Sequence, residues 1–115
     1  MVAACLALSA DAATNYVWQG APSSTAPYDT WDTAATNIQT AIDFAATNLG
    51  TYDTVIVTNG AYGISSQVSI TNGVSVLSLN GAASTIIYRS GAGNSRIANL
   101  SHANALLRGF TLREG

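Results

Sequence analysis

The chain of 115 residues has no lysine, one cysteine, one histidine, two prolines and only 9% charged residues. Each scarcity excludes something. The single Cys5 rules out an internal disulfide framework and a cysteine-based zinc site. The basic residues are four arginines, Arg89, Arg96, Arg108 and Arg113, with no cluster among interleaved aromatics. Nucleic acid is therefore excluded as a partner, because neutralising phosphates takes a concentrated basic face. No apolar stretch approaches the roughly 20 residues needed to cross a bilayer, so no membrane span is expected. With so few charges, solubility rests on Ser, Thr, Asn and Gly, and the length suits one small domain.

What the chain does contain is short apolar runs separated by polar turns. Three Asn-Gly pairs, Asn59-Gly60, Asn72-Gly73 and Asn80-Gly81, interrupt alternating segments. The first and third both continue into alanine. Their spacing, 80 − 59 = 21 residues, also superimposes Val55-Ile56 on Val76-Leu77. A period of roughly 20 to 50 residues built of strands and turns marks a repeat architecture, and one lap of a solenoid is predicted here. Asn72-Gly73 is then a corner within that lap. Asn-Gly is equally the strongest signal for a hairpin, so an antiparallel meander competes. The recurrence, the shortness of the segments and a helix ahead of uninterrupted strands favour the parallel arrangement. The asparagines are read as turn formers that tolerate positive φ.

Three regions follow. Residues 1–13 are rich in Ala, Leu and Val and end in small residues, as a secretory signal does, but lack its positive start. Either the signal is incomplete or the stretch is an apolar strand of the fold. Residues 14–53 form an N-terminal cap: a strand at Asn15–Trp18, a surface loop at Ala21–Tyr28, and a helix N-capped by Asp29 with Asp32 in its first turn. Ala34, Ala35, Ile38, Ala41, Ile42 and Ala45 make its apolar stripe, and it ends near Asn48 with Gly50 beyond and a turn at Thr51-Tyr52-Asp53. Residues 54–115 carry strands at Val55–Val57, Gln67–Ile70, Val74–Leu79, Ser84–Tyr88, Ser95–Leu100 and Ala105–Leu112.

Tyr16-Val17-Trp18-Gln19-Gly20, the Trp31–Ala45 helix, the run Asp53 to Tyr62 and the closing Leu107-Arg108-Gly109-Phe110-Thr111-Leu112-Arg113-Glu114-Gly115 together resemble the N-terminal region of bacterial right-handed parallel β-helix proteins, the pectin-lyase-like superfamily. The likeness spans residues 15–115. It implies an all-β fold, a right-handed parallel β-helix with an amphipathic capping helix, in which each rung adds three short parallel strands. Family members include lyases and hydrolases of acidic polysaccharides, and also adhesins without catalysis. The enzymes use clustered aspartates on central rungs. This chain departs from that pattern, because after Asp53 its one carboxylate is Glu114. Neither a pair of carboxylates within about 10 Å nor a calcium shell of six or more oxygens assembles from the strands. No catalytic residue, metal ligand or cofactor is assigned.

His102, in Ser101-His102-Ala103-Asn104, has no carboxylate near it in sequence and reads as a surface turn residue. Arg89, Arg96 and Arg108 are candidate contacts to uronate carboxylates, which guanidinium groups bind bidentately; solvated turn residues are the competing reading. Trp18 and Tyr28, beside Trp31 and Tyr52, are candidate stacking surfaces for sugar rings, against the simpler role of sealing the cap with large apolar area. The sequence thus predicts the capping module of an exported protein, secreted, periplasmic or at the cell surface, with a structural or binding role and contact with polysaccharide. The alternative is the N-terminal piece of a polysaccharide lyase or glycoside hydrolase whose active site lies beyond residue 115. An uncapped last rung would also permit end-to-end self-association.

Overall fold

The computed structural model describes residues 13–48, 52–90 and 96–114. Among the described residues the regular structure is mostly strands in parallel sheets, with one short helix. The strands are β1 (Ala13–Val17), β2 (Tyr52–Val57), β3 (Gly60–Ile64), β4 (Val68–Ile70), β5 (Ser75–Ser78), β6 (Thr85–Arg89), β7 (Ala98–Leu100), β8 (Leu106–Arg108) and β9 (Thr111–Glu114); the helix α1 is Ile38–Thr47. Three sheets form, ordered β1-β2-β5-β8, β3-β6-β9 and β4-β7. From β2 onward the chain visits them in rotation, so each strand pairs in parallel with the third one after it. Antiparallel hairpins, the competing reading of the Asn-Gly pairs, do not occur among the named strands.

The 21-residue recurrence is the register of one ladder. Val55 pairs with Val76 and Ile56 with Leu77, and Asn80 Nδ2 donates to Asn59 Oδ1 at 2.7 Å. The step is not constant, however. Gly60 pairs with Thr85 rather than Gly81, Val68 pairs with Ala98, and Ser75 with Leu106. Extra residues enter at the corners, where a surface loop changes length without disturbing the ladders it joins. The asparagines do not take the left-handed conformation; the following glycines Gly60 and Gly81 do, with φ of 150° and 94°, and Gly109 repeats the device on the third pass with φ of 85°. That glycine divides the predicted Ala105–Leu112 strand into β8 and β9. A Cβ at Gly109 would also run into the Ser78 side chain below it.

The core is a set of ladders on the inward faces. Val17, Val55, Val57, Val74 and Val76 line one sheet, Tyr62 and Ile87 the second, and Val68 and Ile70 the third, all buried. Each fully buried branched side chain contributes about 1.5–3 kcal/mol. All six residues of the predicted apolar stripe are buried, yet the helix starts later than the sequence suggested. Its N-cap is Asn37, whose Oδ1 accepts from Thr40 N–H at 3.2 Å, not Asp29. The reason lies in Ala35, which bridges to Val17 and is held by Ala35 N–H to Tyr16 O (2.9 Å) and Trp18 N–H to Ala35 O (2.8 Å). An extended residue there prevents helix over 29–36. Asp32 and Thr33 instead offer carbonyls to Ser23 and Thr25. Tyr52 and Asp53 lie in β2 rather than a turn, and β3 was missed by sequence reasoning because its Gly-Ala-Tyr-Gly start reads as a loop. Most of the predicted signal, residues 1–12, together with Gly50, Thr51 and Ser95, lies outside the described residues.

Two tyrosines of the second sheet point to opposite faces. Gly63 pairs with Tyr88, and a Cβ at Gly63 would sit 2.9 Å from the Tyr88 ring, so the tyrosine covers bare backbone. Tyr62 points the other way, into the core, and its Oη donates to Thr58 O at 2.9 Å. Burial pushes this phenol up to about 12. A folded-state value above the unfolded one means the neutral phenol stabilises fully below pH 10 and loses that contribution as pH rises through 12. Urea unfolding across this window should show stability falling by at most about 3 kcal/mol from this group, and Tyr62→Phe should remove that part of the slope.

Candidate functional site

The two ends of the sheets differ, and the difference defines the candidate site. At the end nearest the N-terminus each sheet is closed by a different group. β1 covers β2 and is itself covered by Ala35 and by Tyr16 N–H donating to Tyr28 O at 2.7 Å. Gln19 Nε2 donates to Ala61 O at 2.9 Å on β3. Gln39, on the first turn of α1, serves β4: its Oε1 accepts Ser69 N–H at 2.8 Å and its Nε2 donates to Ser69 O at 3.1 Å. The second Nε2 hydrogen goes to Asp43 Oδ1 at 2.8 Å. The Gln39 amide thus presents the same donor and acceptor that a neighbouring strand would, with every polar atom used. Neither glutamine was singled out from the sequence. A glutamine on a polar helix face carries no signal of the strand it will meet.

At the other end β7, β8 and β9 have no partner on their outer side among the described residues. Inward positions that are sealed one pass earlier become open here. Ile70 is fully buried and its partner Leu100 is 41% exposed; Ile87 is fully buried and its partner Leu112 is 47% exposed. Backbone N–H and C=O groups along these strands complete an apolar edge ready to pair.

A third surface lies on the flank. Trp18, Trp31, Thr58 and Leu79 line an open groove of about 380 Å³. Trp31 is held against Tyr16 with ring centroids 4.5 Å apart, Gly20 leaves room for the Trp18 indole, and Leu79 is 52% exposed. Among the described residues none that lines the groove is charged. Tyr28, the other predicted aromatic contact, packs edge-on against Phe44 with centroids 5.7 Å apart and faces the core. The arginines are dispersed: Arg89 ends β6 in the second sheet, Arg96 precedes β7 of the third, and Arg108 ends β8 of the first. His102 sits in an exposed turn, its Nδ1 accepting Asn104 N–H at 3.0 Å. Among the described residues no three His, Cys, Asp or Glu side chains gather as a metal site, and no helix is long and apolar enough to cross a membrane.

No family model, curated protein or solved structure matches this chain.

The Gln39 contacts generate a direct test. Gln39→Ala leaves the Ser69 N–H and C=O unpaired and should lower stability by about 2 kcal/mol, with loss of hydrogen-exchange protection at the Ser69 amide. Gln39→Glu keeps an acceptor for Ser69 N–H but cannot donate to Ser69 O and would face Asp43, so it should also lower stability while keeping Ser69 amide protection. Unchanged stability in both variants and unchanged protection in Gln39→Ala would show that the edge is not closed by this side chain.

Proposed function

We propose that this chain is the N-terminal capping module of an exported right-handed parallel β-helix protein, closing one end of three sheets and offering the other for further strands. The observation that carries the proposal is the asymmetry of the ends. β1, Gln19 and Gln39 satisfy one edge, while β7, β8 and β9 present unpaired edges and half-exposed Leu100 and Leu112 at positions that are core one pass earlier. The rotation of the strands among three parallel sheets supports the β-helix reading. On this reading a β-helix cap binds strands, and catalysis is not its work.

The open edge has a consequence in isolation. Two copies can meet edge to edge, but the closed end stops growth there, so association should saturate at dimers. Sedimentation at rising concentration should show this, with Leu100→Asp plus Leu112→Asp returning the chain to monomer. Gln19→Ala plus Gln39→Ala opens the second end and should extend dimers into longer polymers. A chain that stays monomeric throughout, or a double-glutamine variant no larger than the parent dimer, argues against the cap.

Polysaccharide contact by the module belongs to the Trp18–Trp31 groove, since two indoles and a hydroxyl suit sugar rings, whereas Arg89 ends β6, Arg96 precedes β7 and Arg108 ends β8. Soluble polysaccharide should then shift tryptophan emission in the parent chain and not in Trp31→Ala. Equal responses from both would remove the groove from consideration.

A further inference from the structure

The three Asn-Gly pairs are chemically alike in sequence and differ in what the fold does to them. Succinimide formation requires the glycine amide nitrogen to attack the asparagine Cγ, so it depends on a free N–H and a side chain able to turn. At Asn59-Gly60 both are restrained: Gly60 N–H donates to Ser84 O at 2.9 Å, and Asn59 Oδ1 accepts from Asn80 Nδ2 at 2.7 Å. At Asn80-Gly81 the same amide pair holds the side chain, and Gly81 N–H donates to Ser78 Oγ at 3.0 Å. At Asn72-Gly73, on the corner between β4 and β5, neither restraint exists. Among the described residues Gly73 N–H and the Asn72 amide have no hydrogen-bond partner, and the one bond across the corner, Val74 N–H to Asn72 O at 2.8 Å, uses neither.

We propose that, of the three Asn-Gly pairs, Asn72-Gly73 is the one that deamidates in the folded protein and that the fold protects Asn59 and Asn80. The Gly73 nitrogen, losing its proton to solvent base, bonds to Asn72 Cγ; the Cγ–Nδ2 bond breaks and the departing nitrogen takes a proton from solvent and leaves as ammonia. Water then opens the succinimide at either carbonyl, giving an aspartyl or an isoaspartyl linkage at residue 72. Either product places a new carboxylate on the corner where Gly73 approaches the His102 ring. The isoaspartyl form also lengthens the backbone between β4 and β5.

Exposure alone ranks the sites the opposite way, since Asn59 and Asn80 are exposed and Asn72 is partly buried. The purified chain is incubated in mildly alkaline buffer, and tandem mass spectrometry of its peptides gives the conversion at each asparagine. Asn72 should convert roughly tenfold faster than Asn59 or Asn80, since each of those must first break two hydrogen bonds. In denaturant the three rates should converge. Ser78→Ala, which frees Gly81 N–H, should raise the Asn80 rate several-fold and leave Asn72 unchanged. Folded-state rates at Asn59 and Asn80 equal to or above that of Asn72, a difference that persists in denaturant, or an Asn80 rate indifferent to Ser78→Ala would each overturn the proposal.

Discussion

Parallel strands that pair only with later strands leave a row of unpaired N–H and C=O groups at the first strand of every sheet, and the organisation of residues 13–48 follows from that constraint. A buried backbone group without a partner costs about 1–3 kcal/mol, and three sheets multiply the demand. One strand cannot meet it, because β2, β3 and β4 face different directions. The N-terminal region therefore supplies three different answers: a real strand for β2, a single glutamine bond for β3, and the two-way Gln39 amide for β4. The helix α1 is placed by its apolar stripe, and Gln39, on the flank of that stripe in the first turn, reaches Ser69.

Among the described residues two polar side chains, Asn15 and Thr85, are buried. Asn15 sits on the inward face of β1, level with Val55, and its Nδ2 reaches Pro27 O at 2.6 Å, tying the 21–28 loop to the sheet. Its Oδ1, like Thr85 Oγ1 at the Gly60 corner, has no hydrogen-bond partner. At Asn15 closing the end of a sheet and packing its core ask different things of one side chain; Thr85 lies in the middle strand of its sheet, where the structure offers no such account. The loop that Asn15 anchors brings Tyr28 over Phe44 and leaves Trp31 beside Trp18, so the flank groove is a by-product of the same closure.

What the sequence made legible is what repeats locally. Val55-Ile56 over Val76-Leu77 was visible because identical spacing and similar residues sit on adjacent strands, and the alanine-isoleucine stripe of α1 was visible because helical periodicity is local. The start of α1 was not, because Ala35 is drawn into a bridge with Val17, a contact between residues that no window of sequence joins. Later ladders were hidden because corner insertions change the step between partners, and β3 was hidden because two glycines in five residues suppress the strand signal. The glutamines were hidden for the same physical reason as Ala35: their partners lie 42 and 30 residues away.

Gly63 under Tyr88 bears on how this chain finds its alignment. A strand displaced by one residue would turn its side chains to the wrong face, and one displaced by two would keep its faces but set the tyrosine ring over Ala61, whose methyl occupies the space that Gly63 leaves vacant. The bare backbone therefore acts as a keyhole and the ring as its key. Where strands are only three to six residues long and the connecting corners vary in length, such a fit sets the observed register of β6 on β3 apart from its neighbours, a discrimination that aliphatic ladders alone do not provide.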